Sequence, residues 1–358
     1  MVEVETPEVL IDRHILRTNI RQMAESTAAS GIGLRPHAKT HKVLEMARMQ
    51  LAAGAVGLTV ATVGEAEVFV ADGVTDVFIA YPLWATPQLA QRLLDLTERA
   101  TISVGVDSLE GADNLARQLG RDAHRIEAWV EVDSGHHRSG LRPGSVEEER
   151  MAGTTALRVT GVFTFPGHGY LPGQAIAAAA QEGEALSRSA ALFRQAGHDI
   201  RHMSGGSTPS AEFSSPEHVT EVRPGVYALR DAQQLELERC GWEDIALSVA
   251  ATVVSRREQP AREVIVNAGS KVLGSDRPAW TTGFGRVLGQ AGARVTALSE
   301  HHGTIQWPDE VPLPVLGEQV RVIPNHVCLT MNLVDEVAVV EDDQVVDRWQ
   351  VAARGRNR

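Results

Sequence analysis

The chain has 358 residues, which is too long for one small domain and suits a barrel with a second module. Hydrophobic residues make up 43% and charged residues 22%, a composition typical of folded globular proteins rather than disordered ones. The formal net charge of −12 argues against nucleic acid as a partner, because phosphate binding needs clustered cations.

The sequence predicts neither a membrane span nor an export signal. No run of about 18 or more apolar residues occurs. Residues 1–5 are acidic and lack the basic and apolar regions of a signal peptide. The two cysteines, Cys240 and Cys328, cannot form a disulfide framework. A reducing, cytoplasmic environment is therefore the expectation.

Residues 12–245 alternate short apolar runs with amphipathic stretches. Strands are predicted at 32–35, 56–60, 76–80, 101–106, 126–132, 159–163, 202–204 and 219–222. Helices are predicted at 11–28, 43–53, 63–71, 87–99 and 176–195. About eight such units predict a (β/α)8 barrel, with a doubly wound sheet as the alternative.

The pattern changes at about residue 246. Apolar and polar residues alternate at 247–255, 263–267, 293–298, 319–323, 336–340 and 344–351, with Gly and Asp turns between them. Residues 246–358 are therefore predicted to form a C-terminal β domain. Residues 1–11, with an extended start at 2–4, are expected to join it.

Lys39 lies in the segment RPHAKTHK (residues 35–42), directly after the first predicted barrel strand. Active sites of such barrels are built at the carboxyl ends of the strands. A lysine there can form an imine with an aldehyde cofactor when nearby cations lower its pKa, and the other basic residues of the segment supply such charge. A solvated basic loop is the alternative interpretation.

A glycine-rich turn, SGGSTP at residues 204–209, follows the seventh predicted strand. Its small residues expose backbone N–H groups that can bind a phosphate, and Ser207 and Thr208 add hydroxyl donors. Loops after strands seven and eight of such barrels often hold phosphate, which supports a phosphate site here, with an ordinary loop as the alternative. The eighth strand ends in EVRPGVY (221–227).

The segment PNHVCLTMN (324–332) contains a His-x-Cys pair. In an extended strand, residues i and i+2 project from the same face, so His326 and Cys328 are expected to hold one ion together. Imidazole and thiolate favour zinc over magnesium or calcium. A buried cysteine beside a core histidine is the alternative.

Together with EVDSGHHRSG (131–140) and GHG (167–169), these segments resemble the D-threonine aldolase and D-serine dehydratase family, the fold-type III, alanine racemase-like pyridoxal 5′-phosphate (PLP) enzymes. The resemblance covers nearly the whole chain in the same order. It implies the barrel followed by a C-terminal β domain, with PLP and a divalent metal as cofactors, zinc before manganese. One departure is Phe165, where many relatives have tyrosine.

The resemblance also implies roles for individual residues. Lys39 would be the catalytic Schiff-base lysine, and His326 and Cys328 would bind the metal. Arg138 is expected near the phenolic oxygen of the cofactor, with a surface arginine as the alternative. The cofactor-binding residues implied are, in full, Lys39, His37, Arg138, His168, Ser204, Gly205, Gly206, Ser207, Thr208, Gly225 and Tyr227.

The implied activity is that of a lyase acting on a β-hydroxy D-amino acid. The His-x-Cys pair resembles the zinc-dependent dehydratases, which favours a D-serine or D-threo-3-hydroxyaspartate dehydratase giving a 2-oxo acid and ammonia. The segment TMNL (330–333) is more similar to the aldolases, so retro-aldol cleavage to glycine and an aldehyde is the alternative.

Two more distant alternatives are an amino-acid racemase and a non-catalytic PLP carrier. A racemase needs a second base opposite Lys39, and none of the three tyrosines stands out for that role. A carrier would need neither the β domain nor the His-x-Cys pair. The resemblance further implies that the protein forms a homodimer. It also implies a small-molecule D-amino acid as the substrate.

Overall fold

The computed structural model describes residues 4–358. Its strands are β1 (Glu8–Asp12), β2 (Gly33–Leu34), β3 (Leu58–Val60), β4 (Asp76–Pro82), β5 (Thr101–Val106), β6 (Glu127–Glu131), β7 (Val159–Phe163), β8 (His202–Gly205), β9 (Glu221–Val222), β10 (Leu247–Arg257), β11 (Glu263–Val266), β12 (Gly285–Val287), β13 (Gln290–Leu298), β14 (Gly303–Gln306), β15 (Gln319–Pro324), β16 (Glu336–Glu341) and β17 (Gln344–Gln350). Its helices are α1 (Arg13–Ala29), α2 (Leu44–Ala52), α3 (Val63–Ala71), α4 (Pro87–Thr97), α5 (Leu109–Leu119), α6 (Val146–Thr154), α7 (Ala175–Gln195), α8 (Ala232–Glu236), α9 (Ser270–Leu273) and α10 (Val327–Leu333).

The chain forms two compact units. The barrel unit comprises Gln22–Lys39, Met46–Gly225 and Gly355–Arg358. The β unit comprises the described residues up to Arg21, together with Thr40–Glu45 and Val226–Arg354. No helix between residues 4 and 358 combines the length and hydropathy that crossing a bilayer requires.

The barrel unit is built on eight parallel strands in the order β2-β9-β8-β7-β6-β5-β4-β3. The first and last strands of that order also meet, because the Val56 N–H donates to the Leu34 carbonyl and the Thr59 N–H to the Pro36 carbonyl, each at 2.8 Å. All eight strands predicted from the sequence are present, and the predicted (β/α)8 barrel is confirmed. The carboxyl ends of its strands therefore meet at one rim.

Large apolar side chains fill the barrel. Phe78, Trp129 and Phe163, from three different strands, are buried together, and the Phe78 and Trp129 ring centroids lie 4.1 Å apart. Burying one such side chain stabilises a fold by about 1.5–3 kcal/mol. Outside the barrel, helix α4 begins where the Thr86 hydroxyl caps the Leu89 N–H, with a proline in the first turn.

The β unit contains a nine-stranded sheet in the order β11-β14-β13-β12-β15-β10-β1-β16-β17. Strand β11 also pairs with β10, so six of these strands close into an antiparallel barrel. Strand β1 pairs antiparallel with β10 and parallel with β16. The C-terminal β architecture is therefore also confirmed. Of the segment expected to join it, residues 1–3 lie outside the described residues.

Helix α1 begins later than the sequence pattern predicts. Ile11 and Asp12 are the last residues of β1, so the helix starts at Arg13 instead of at residue 11. The Asp12 carboxylate accepts a hydrogen bond from the Ile15 N–H at 2.9 Å, as a helix cap does. The apolar residue at position 11 belongs to the strand, which periodicity alone cannot distinguish from a helix start.

Candidate active site

Lys39 follows strand β2 and lies on a short 3-10 turn, Ala38–Thr40. Its half-buried side chain places Nζ 5.8 Å from the centroid of the Phe165 ring. An ammonium at this distance from an aromatic ring is stabilised by about 0.5–1 kcal/mol. The amine therefore lies at the carboxyl ends of the parallel strands, where barrel enzymes place catalytic groups.

Arg138 contacts the same aromatic ring as Lys39. Its Cζ lies 5.2 Å from the Phe165 centroid, and its NH2 lies 3.8 Å from Glu131 Oε1. The Arg138 side chain is 56% exposed, so most of its N–H groups are accessible to a ligand. The structure thus brings together two predicted site residues that come from different strand-to-helix loops.

Two histidines lie beside this ring. The His136 ring meets Phe165 edge-on, with centroids 5.4 Å apart, and burial and the Arg138 charge lower the pKa of His136. His168 Nε2 lies 2.8 Å from Gln181 Oε1. His168 Nδ1 is buried and has no partner among residues 4–358. His168 was predicted from the sequence, whereas His136 was not.

Arg35 does not supply the positive charge that the sequence predicts around Lys39. It is buried, with Nε 2.9 Å from Glu221 Oε1 and NH1 2.5 Å from Asp76 Oδ1. Burial alone lowers the pKa of the Arg35 guanidinium, but the two carboxylates outweigh burial and raise it. Arg35 is therefore a structural ion-pair residue inside the barrel. Of the other basic residues in the segment, those at positions 41 and 42 belong to the β unit.

The glycine-rich turn is buried and partly hydrogen-bonded within the protein. The Gly206 N–H donates to Glu182 Oε2 at 2.7 Å, and the Ser207 N–H donates to Ser210 Oγ at 3.0 Å. The Thr208 hydroxyl oxygen is buried and lacks a partner within the described chain. Two amides expected to face a phosphate are thus used internally, while Thr208 offers an unsatisfied hydroxyl.

Ser204, at the end of β8, belongs to a buried polar network. Its hydroxyl donates to Glu221 Oε1 at 2.7 Å and accepts from Arg223 NH1 at 2.6 Å. Arg223 NH2 also donates to the Thr164 carbonyl at 2.5 Å, and burial lowers the pKa of Arg223 to about 10. Arg223 was not predicted from the sequence as a site residue, although it lies within the EVRPGVY segment.

The residues of the barrel unit fit a PLP cofactor. Gly206 has a φ of 73°, a conformation that favours glycine in this turn. The buried Thr208 Oγ1 and His168 Nδ1, without partners in the described residues, can each bind a ligand atom without breaking a hydrogen bond. Gly225 and His37 lie in the same unit, where the His37 N–H donates to the Pro224 carbonyl at 3.1 Å. The cofactor-binding roles of these residues stay predictions.

Three predicted site residues, Tyr227, His326 and Cys328, belong to the β unit. Tyr227 is fully buried on a 3-10 turn, Val226–Ala228.

His326 and Cys328 lie at the start of helix α10 and not on a strand. Strand β15 ends at Pro324, and His326 is the N-terminal cap of the helix, with a φ of −139° and a ψ of 105°. The prediction that the two residues project from the same face of an extended strand is therefore wrong. The two side chains nevertheless meet, because the His326 imidazole forms a hydrogen bond with the Cys328 side chain.

Asp276 orients the imidazole of this pair. Its Oδ2 lies 2.5 Å from His326 Nδ1, and the Cys328 thiol donates to Thr40 Oγ1 at 3.3 Å. Burial lowers the pKa of His326, but the electrostatic effect of Cys328 and the hydrogen bond to Asp276 outweigh burial and raise it well above its usual value. No sequence signal could have found Asp276, which is 50 residues away in the chain.

This donor set fits a zinc ion with two protein ligands. A hydrogen bond from Nδ1 to a carboxylate leaves the other ring nitrogen for a metal, as in most metal-bound histidines. Imidazole and thiolate are the ligands that zinc prefers. Within residues 4–358 no group of three or more His, Cys, Asp or Glu side chains is placed to hold an ion.

Comparisons with known proteins give a consistent assignment over the whole chain. A family model described as the alanine racemase N-terminal domain matches residues 11–232, and one described as a putative serine dehydratase domain matches residues 246–340. The chain is 33% identical over 374 residues to D-threo-3-hydroxyaspartate dehydratase of Delftia sp. (strain HT23), with 98% of each chain covered. It is 31% identical over 371 residues to D-threonine aldolase of Arthrobacter sp., covering 100% of this chain and 95% of that protein.

The structural likeness extends equally far. The solved D-threonine aldolase from Filomicrobium marinum matches with a TM-score of 0.86 at 29% identity, covering 98% of this chain and 96% of that chain. The family predicted from the lysine, turn and His-x-Cys segments is thereby confirmed. The chain belongs to the D-threonine aldolase and D-serine dehydratase family of alanine racemase-like PLP enzymes, and it is a PLP-dependent lyase.

Proposed function

We propose that this lyase is a divalent-metal-dependent dehydratase of β-hydroxy D-amino acids, of the D-serine or D-threo-3-hydroxyaspartate type. Its products would be a 2-oxo acid and ammonia. The observation that carries the proposal is the contact between the His326 and Cys328 side chains, with Asp276 bonded to the imidazole. A zinc ion there would supply Lewis-acid chemistry that helps a β-hydroxyl leave.

In the barrel unit, this chain's own residues would hold the cofactor and move the substrate proton. PLP, when bound, supplies an electron sink for the bond that breaks at Cα. Lys39 would hold the cofactor, and its Nζ would take the Cα proton of the substrate. The Phe165 ring restricts where that Nζ can lie. Arg138, on the same ring, would bind an oxygen anion through paired N–H groups.

In the β unit, His326 and Cys328 would hold the metal, with zinc expected before manganese. Asp276 would keep the His326 ring in one tautomer and orientation, because its carboxylate fixes the proton on Nδ1. The thiolate form of Cys328 would be favoured by the imidazolium or by the metal itself.

A D-threonine aldolase-type reaction is the second candidate. The observation favouring it is that the Arthrobacter aldolase is 31% identical over the whole chain, nearly as similar as the Delftia dehydratase. In that reaction the β-hydroxyl would lose its proton, the Cα–Cβ bond would break, and Cα would then take up one proton, giving glycine and an aldehyde.

One product assay separates the two candidates. The EDTA-treated protein is supplied with PLP and zinc or manganese, then incubated with D-serine, D-threonine and D-threo-3-hydroxyaspartate. We expect ammonia and a 2-oxo acid in equal amounts, only after metal is returned. Glycine and an aldehyde would establish the aldolase instead, and formation of the L-amino acid would establish a racemase.

A matched pair of cysteine variants tests the metal role. Cys328→Ser is expected to lose bound zinc and product formation together. Cys240→Ser is the control, because Cys240 is a half-buried thiol whose pKa burial raises to about 12, which disfavours a metal-binding thiolate. Equal zinc content in both variants would remove the support for a metal at Cys328.

We also propose that the enzyme is a homodimer. The support is the family to which the chain belongs, because the resemblance to that family implies a homodimer. Light scattering behind gel filtration is expected to give twice the mass of the chain, and a monomer mass at micromolar concentration would contradict it.

A further inference from the structure

A buried glutamate lies directly behind the glycine-rich turn of the barrel unit. Glu182, on helix α7, is fully buried, and its Oε2 accepts a hydrogen bond from the Gly206 N–H at 2.7 Å. A Cβ added to Gly205 would lie 2.5 Å from Glu182 Cδ, so no side chain separates the carboxyl group from the turn. Glu182 therefore contacts both glycines of the predicted phosphate site.

The surroundings of Glu182 disfavour its charge. Its Oε1 is buried without a partner in the described chain. Burial raises the pKa of Glu182 to about 7, although the Gly206 N–H and the Arg223 guanidinium act in the opposite direction. The charged group that acts on Glu182 is Arg223, and the histidines on neighbouring segments include His168, bonded to Gln181, and His218, which lies 3.0 Å from a Cβ added to Gly183.

We propose that Glu182 is a positioning residue that couples phosphate binding at the Gly205–Gly206 turn to the uptake of one proton. The proposal rests on the proposed role of this turn in holding the cofactor phosphate. Protonated Glu182 can keep one oxygen on the Gly206 N–H while removing a negative charge from behind the turn. Ionised Glu182 would repel the incoming anion, because like charges in a desolvated site disfavour each other.

The proton balance follows from the charges. The phosphate of PLP carries close to two negative charges at neutral pH, since its second pKa is about 6. When Glu182 is ionised in the free protein, the protein therefore binds the dianion and takes up one proton. When Glu182 is already protonated, the protein binds the dianion alone. Above about pH 7, phosphate affinity should fall about tenfold per pH unit for this reason.

Calorimetry of the PLP-free protein measures this proton directly. Inorganic phosphate and PLP are each titrated at pH 8 in two buffers that differ in their heats of ionisation. We expect the wild-type protein to take up most of one proton more than Glu182→Gln, because the ionised form of Glu182 predominates at this pH. Glu184→Gln, an exposed glutamate two residues along the same helix, is the control and should match the wild type.

Equal proton uptake by the wild-type and Glu182→Gln proteins, with phosphate bound to both, would overturn the proposal. Glu182→Asp keeps a titratable carboxyl group but shortens its reach to Gly206, so we expect weaker binding with proton uptake retained. Should Glu182→Gln not fold, proton-independent phosphate binding by the wild-type and Glu182→Asp proteins would overturn it equally. Absence of phosphate binding in every protein would refute the proposed role of the turn itself, and the product assay would still test the lyase reaction.

Discussion

The Asp276 carboxylate bonds to the His326 imidazole, with Oδ2 and Nδ1 2.5 Å apart. Strand β15 and the cap of helix α10 fix His326, while Asp276 comes from the loop after helix α9. A half-exposed carboxylate thus bonds to one ring nitrogen of a histidine that also bonds to the Cys328 side chain. This relationship makes the metal proposal testable at a residue that is not itself a proposed ligand.

We expect Asp276→Asn to weaken zinc binding by about 10- to 100-fold, the usual effect of removing a carboxylate behind a metal-bound histidine. The affinity is measured by competition with a chromophoric chelator. Asp335→Asn is the control, since Asp335 is 81% exposed and pairs with Arg354. Unchanged zinc affinity in Asp276→Asn would show that His326 does not bind the metal.

Lys39→Ala should lose the cofactor's covalent attachment and all product formation. The chain has three lysines, Lys39, Lys42 and Lys271, so the attachment site can be determined without ambiguity. Borohydride reduction of the PLP-loaded protein, followed by peptide mass spectrometry, is expected to find pyridoxyl on Lys39 alone. Lys271→Ala, which removes an exposed lysine paired with Glu300, should be modified as the wild type is.

Most of the architecture was predictable because it depends on patterns within short segments. All eight barrel strands were predicted to within about three residues, since buried parallel strands read as apolar runs between turn signals. Strands β12 and β14 were not predicted, because a strand of three or four residues is too short to show an alternating pattern. The domain boundary at residues 245 and 246 stays a prediction.

The site was predictable where its residues lie in recognisable segments, and not where they act from a distance. Lys39 and Arg138 come from such segments, and the structure places both on the Phe165 ring. Asp276 could not be predicted, because its partner lies 50 residues away. Glu182 did carry a signal, since it interrupts the apolar face of the predicted helix at 176–195, but a pattern cannot show what that face packs against.

Glu221 should carry much of the acid sensitivity of the barrel unit. Although burial opposes its ionisation, Arg35 and hydrogen bonds from His202 and Ser204 lower the pKa of Glu221 to about 2. A carboxylate with a lowered pKa contributes stability above the ordinary pKa of about 4.5 and loses it as the pH falls towards 2. The shift corresponds to about 3 kcal/mol.

We expect Glu221→Gln to lower the free energy of unfolding at pH 7 by about 3–5 kcal/mol, because it leaves the Arg35 charge buried with a weaker partner. Urea unfolding followed by tryptophan fluorescence measures the change. The loss relative to the wild type should shrink between pH 4.5 and pH 2. Glu98→Gln, at an exposed ion pair with Arg125, should change stability by less than about 1 kcal/mol at every pH.

Glu182 should have the opposite pH dependence. Its folded-state pKa of about 7 lies above the ordinary value of 4.5. Between these values the unfolded chain has lost the proton that the folded chain retains, so the stability of the wild type should fall as pH rises. Relative to Glu182→Gln, the free energy of unfolding of the wild type should therefore fall by up to about 3 kcal/mol from pH 4.5 to pH 7. Above pH 7 the difference should stay constant. Urea midpoints of the PLP-free proteins at pH 5, 6, 7 and 8 measure this difference, with Glu184→Gln as the control. A constant difference between the two proteins over this range would mean that Glu182 ionises normally and that the turn carries no linked proton.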